Sequence, residues 1–234
     1  MNEVGKKVAA DLYLIQMKWV AWYLSIVYIA YFAIVWFINE PDIRSMSLLT
    51  FTFQTSTIFM LVCGILSSTV FLPLYVKNGV TRKSYFEGVL LSAIGLAITI
   101  IGLTTILSWI VHVLNIQVFR EVVLSSLGVN SWFMTSIAYF LVVMMYSLVG
   151  WLIGLGFYRY GGMGGFVTIM ASLVIVSLND LLWSFNTPKP LMGLLTYHIP
   201  VPTIAVAIIA SFAIAAITAI AVYKVVKDTP IKIT

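Results

Sequence analysis

Lys77-Asn78-Gly79-Val80-Thr81-Arg82-Lys83-Ser84-Tyr85-Phe86-Glu87 divides two apolar runs, residues 51–76 and 88–114. A bilayer core is crossed by roughly 20 apolar residues in helical form, so each run is long enough to cross it. The pair therefore predicts two transmembrane helices joined by a short polar connection. Within the connection, Asn78-Gly79 is a strong turn signal, and Asn78 or Thr81 can cap the first free N–H groups of a following helix. Arg82 and Lys83 then project to solvent or to an acidic partner, while Tyr85 and Phe86 have the chemistry of anchors for a groove. Two readings stand side by side. One is a loop that only sets topology; the other is a small docking helix.

Working outward, the same pattern repeats. The 234 residues are 62% hydrophobic and 9% charged, far below the roughly 25% charge of soluble domains, and mean hydropathy is +1.06. Six segments reach spanning length: 19–38, 51–76, 88–114, 132–157, 166–185 and 203–223. None alternates as barrel strands do, so the fold class is all-α integral membrane with six transmembrane helices. With the N-terminus inside, Lys6, Lys7, Lys18, Lys77, Arg82, Lys83, Arg159, Lys224, Lys227 and Lys232 face the cytosol. Arg44, Arg120 and Lys189 stay outside. That bias predicts a multi-pass protein of a cell membrane with both termini and residues 77–87 cytosolic.

The flanks have their own character. Residues 1–18 mix Lys6, Lys7, Asp11 and Lys18 with apolar positions at helical spacing, which predicts an amphipathic interfacial helix against lipid head groups. A plain topology-setting flank is the alternative. Residues 19–226 form the six-span domain, and 227–234 a cytosolic tail. The proline-rich 183–202 reads either as a re-entrant outer segment or as an ordinary outer loop. No cleaved signal peptide is expected.

Chemistry-bearing constellations are few. His112 and His198 are the only histidines and Cys63 the only cysteine, so no catalytic site, metal site or cofactor is expected in this chain. Gly161-Gly162-Met163-Gly164-Gly165 lacks the Gly-Lys-Ser/Thr of a phosphate loop and reads as a tight inner turn. The basic residues are dispersed, which argues against nucleic acid. Asp180, next to Asn179, is the only Asp, Glu, Lys or Arg inside a predicted span. It reads as an interfacial cap, as a partner for Lys189, or as an outer-leaflet polar site. Energy for transport would then come from elsewhere. Gly150 and Gly154 form a small-x-x-x-small face suited to close helix packing.

The polar connection and the six spans together resemble the membrane subunit of the type-2 ABC exporter superfamily. Asn78-Gly79-Val80-Thr81-Arg82-Lys83-Ser84-Tyr85-Phe86 is similar to the connecting loop of small Gram-positive permeases that export toxins, bacteriocins and peptides of the phenol-soluble modulin type. The resemblance implies that residues 78–87 are a coupling helix between spans two and three, seated on a separate cytosolic ABC ATPase. It also implies ATP and Mg on that partner, and a dimer with a second copy or a paralogue. An amphipathic peptide or other hydrophobic compound would be the exported substrate. A non-transporting immunity or sensory protein is the competing class. An ion-coupled carrier comes third, since it would want buried ionisable groups.

Overall fold

The computed structural model describes residues 2–37, 47–113, 132–183 and 203–230. These are helical throughout and contain no strand. Five helices are long and apolar enough to cross a membrane, which makes this an all-α membrane protein. Residues 38–46, 114–131 and 184–202, with Arg44, Arg120, Lys189 and His198, lie outside the described residues, as do 231–234 and Lys232.

Helix α1 runs unbroken over Glu3–Phe37. Asn2 caps it by accepting from the Gly5 N–H at 2.9 Å. Past Gly5 there is no glycine or proline to stop it. The boundary expected at Lys18 is therefore absent. At 1.5 Å per residue α1 is about 52 Å long, well beyond the 30 Å of a bilayer core. Its face carrying Val8, Leu12 and Gln16 is buried against protein.

Helix α2, Leu48–Leu66, begins at Ser47, whose hydroxyl accepts from the Thr50 N–H at 3.1 Å. A wider π turn over Ser67–Phe71 leads into the six-residue α3, Leu72–Lys77. Pro73 explains the change of pitch. It has no N–H for the carbonyl four residues back, and a π turn absorbs the mismatch. The Leu72 N–H reaches Ser67 O instead.

Helix α4 covers Arg82–Val113, α5 covers Trp132–Trp183 and α6 covers Ile204–Lys227. The sequence predicts two spans within α5, and the structure has two helical limbs that meet at Gly161 (φ 71°, ψ −158°). Only glycine adopts that conformation readily. The chain folds back there. A Cβ placed on Gly156 would sit 2.1 Å from Thr168 Oγ1, and one on Gly165 would sit 2.4 Å from the Phe157 ring. In a straight helix, residues 156 and 168 would be about 18 Å apart.

Contacts give each helix a direction. Asn2 meets Ser84, Tyr13 meets Thr99 and Tyr28 meets Thr104, so α1 and α4 run parallel. Tyr23 meets Thr55 while Asp11 meets Tyr75, so α2 and α3 run against α1. Helix α2 is parallel to the first limb of α5 and crosses it closely. Cβ atoms built on Gly64, Gly150 and Gly154 would lie 2.1 Å from Ser147 O, 2.1 Å from Leu61 O and 1.9 Å from Ser68 Oγ. Lipid supplies little hydrophobic drive between helices, and bare backbone at such a crossing maximises van der Waals contact.

Candidate docking surface at the basic end

These directions collect one end of every helix in one place. Asn2, the α3–α4 turn, Arg159 and the end of α6 meet there, linked by hydrogen bonds from Asn2 Nδ2 to Ser84 Oγ (3.0 Å), from Arg82 Nη2 to Thr229 O (2.7 Å) and from Arg159 Nη1 to Val225 O (3.3 Å). Lys6, Lys7, Lys77, Lys83, Lys224 and Lys227 surround it, all exposed. The Arg159 guanidinium sits at a carbonyl of the last turn of α6, where the helix dipole favours positive charge, and Arg82 holds the chain just beyond that helix.

The turn itself is short. Asn78, Gly79 and Val80 donate their backbone N–H groups to Leu74 O, Val76 O and Tyr75 O at 3.3, 3.0 and 3.1 Å. Gly79 takes φ 84°, the left-handed residue that closes a helix. Thr81 then caps α4 by accepting from the Ser84 N–H at 3.2 Å. Residues 82–87 are the first turn and a half of α4, so the segment is a helix–turn–helix corner and contains no separate short helix. A strong cap next to a spanning run lets one helix start at the turn and continue, which eleven residues of sequence do not disclose.

Its side chains divide into two sets. Lys77, Asn78, Gly79, Thr81 and Lys83 are exposed, and Val80, Arg82, Phe86 and Glu87 are half-buried. Ser84 and Tyr85 are buried. The Tyr85 hydroxyl donates to Ser67 O in the π turn, and its ring meets Trp151 edge-on at 6.4 Å. Phe86 stacks on Trp151 at 5.3 Å and touches Tyr223 at 5.0 Å. The rings expected as anchors for a partner are instead anchors for this chain's own core. Composition supplied the aromatic residues, but only packing decides which way they face.

The other predicted positions are more scattered. Lys6 pairs with Glu3 at 2.9 Å, Lys18 is exposed, and Asp11 accepts a hydrogen bond from the Tyr75 hydroxyl. Asn179 and Asp180 lie far along the second limb of α5. Asn179 is buried and accepts from Ser211 Oγ at 3.1 Å, while the Trp183 indole donates to the same hydroxyl at 2.9 Å. That network joins α5 to α6 and leaves Asn179 occupied. Asp180 is half-buried and close enough to Tyr146 of the first limb to act on it electrostatically.

The charge pattern puts Arg159 on the basic side, but its bond to Val225 O and the use of the Ser67 carbonyl by Tyr85 have no sequence signal. Among the described residues no three His, Cys, Asp or Glu side chains are placed to hold a metal ion. No family model, curated protein or solved structure matches this chain.

Proposed function

We propose that this chain is the membrane-spanning permease subunit of an ATP-driven exporter of the type-2 ABC class. The reading counts each limb of α5 as a span, giving six, and takes the basic end as cytosolic, with both termini there. A cytosolic ABC ATPase holding ATP and Mg would dock on it. A second copy or a paralogue would complete a dimer in the cell membrane. The cargo is an amphipathic peptide or a similar hydrophobic compound leaving the cell.

One observation carries the reading. The exposed Lys77–Lys83 corner is rigidly tied, through Tyr85, Phe86, Ser84 and Arg82, to the π turn, α5, Asn2 and the end of α6. A push on that corner reaches several helices at once, as an externally powered transporter needs. Coupling of this kind requires a contiguous packed network with two arrangements.

The contact set also chooses the test. Arg82 holds Thr229 O, so its replacement would disturb the fold as well as any docking. Lys77 and Lys83 are exposed and are the cleaner probes. Lys77→Glu with Lys83→Glu is expected to leave membrane insertion intact. It should weaken stimulation of the co-purifying ATPase about tenfold, the effect of roughly 1.4 kcal/mol in docking. Unchanged stimulation would reject this corner as the docking site. A chain that engages no ATPase yet protects cells from a membrane-active peptide would be an immunity protein instead.

A further inference from the structure

The start of α1 and the α3 corner do not close on each other. Between Val4, Lys7 and Asp11 on one side and Leu74, Tyr75 and Val80 on the other lies a groove of about 500 Å³. Its apolar part is bare, with Val4 45% and Leu74 52% exposed. Leu74 continues the face of Val70, four residues earlier and 50% exposed, so the groove runs into the outward-facing apolar surface of the bundle. Its polar rim holds one cation and one carboxylate. Lys7 and Asp11 are four apart on α1, a spacing at which such residues usually pair. Here Asp11 accepts from the Tyr75 hydroxyl, and Lys7 makes no ion pair or hydrogen bond among the described residues.

We propose that this groove binds one phospholipid with a zwitterionic, primary-amine head group of the ethanolamine class. Its acyl chain runs over Leu74 towards Val70, its phosphate meets the Lys7 ammonium, and its own ammonium donates to the Asp11 carboxylate. The charges select the head group. An anionic lipid would satisfy Lys7 but set negative charge beside Asp11. A choline head group has no N–H to donate to that carboxylate. The inference depends on the helices spanning a membrane and is independent of the exporter reading.

Native mass spectrometry of the delipidated full chain, offered equal amounts of phosphatidylethanolamine, phosphatidylcholine and phosphatidylglycerol, tests it. One ethanolamine lipid should be retained, with about tenfold preference over the other two, as expected for a charge-assisted contact. Asp11→Asn should level ethanolamine with choline lipid, and Asp11→Glu should keep the preference. Lys7→Ala should lower retention of all three. Lys83→Ala, at the same end but outside the groove, should change nothing. Equal retention of the three lipids by the parent chain would overturn the proposal. So would a phosphatidylglycerol preference, or a Lys83→Ala loss matching that of Lys7→Ala.

Discussion

Gly154 has no room for a methyl group. Its Cβ would fall 1.9 Å from Ser68 Oγ and 2.8 Å from Ile65 O, and backbone at a helix crossing cannot swing aside. Gly154→Val should therefore destabilise the protein by about 3 kcal/mol or more, the upper range for overpacking. Gly102 lies in α4 with nothing within 4 Å of its Cβ. Gly102→Ala should be neutral, or stabilising by up to about 1 kcal/mol through helix propensity. Unfolding of both variants in mixed micelles, followed by tryptophan fluorescence, separates the two cases. The spacing of Gly150 and Gly154 already suggests a packing face in the sequence. Which helix it meets is not legible, because every span offers an apolar surface of similar character. Tyr85 and Phe86 make the same point from the other side. Their chemistry suits an anchor whether it is buried within this chain or against a partner.

Among the elements, α5 turns on its glycine cluster. Length and composition divide residues 132–185 into two spans with a turn at the glycine cluster. The structure likewise has two limbs and concentrates the reversal at Gly161, whose φ of 71° no β-branched residue tolerates cheaply. Gly161→Val should cost about 1–3 kcal/mol and loosen the close pairing of the two limbs. Gly162→Ala, beside it in open space, should cost much less. Thermal unfolding in detergent measures both. A result in which the two variants are equally stable would mean the backbone at 161 is not constrained. Helix α1 departs from its sequence reading. Its change from polar to apolar composition suggests two elements, yet helical hydrogen bonding depends on the backbone and passes through Lys18–Trp19 without interruption. The π turn at Ser67–Phe71 has a visible cause in Pro73. Its second tie, the Tyr85 hydroxyl on Ser67 O, spans 18 residues and has no sequence signal.

At the scale of the whole molecule, helix directions make a prediction of sidedness. Lys83 and Asp228 are exposed at the basic end, and Thr203 is exposed at the start of α6, at the far end. In a Cys63→Ala background, a membrane-impermeant maleimide should reach Lys83→Cys and Asp228→Cys from one side only, and Thr203→Cys only from the other. Labelling of Lys83→Cys and Thr203→Cys from the same side would break the up-and-down arrangement. The sequence by itself determined that this is a helical membrane protein, which runs can cross, where glycines turn the chain and on which loops the basic residues lie. Those properties follow from the free energy of placing residues and backbone in hydrocarbon, which is additive along the chain. Only the tertiary structure decided that Arg82 and Arg159 close on the end of α6, that Tyr85 and Phe86 turn inward, and that Lys7 and Asp11 stand apart over an open groove. Each of these depends on contacts between residues distant in sequence, and local composition carries no term for them. The Lys77–Glu87 corner thus leaves its lysines exposed, while its aromatic residues hold the bundle together.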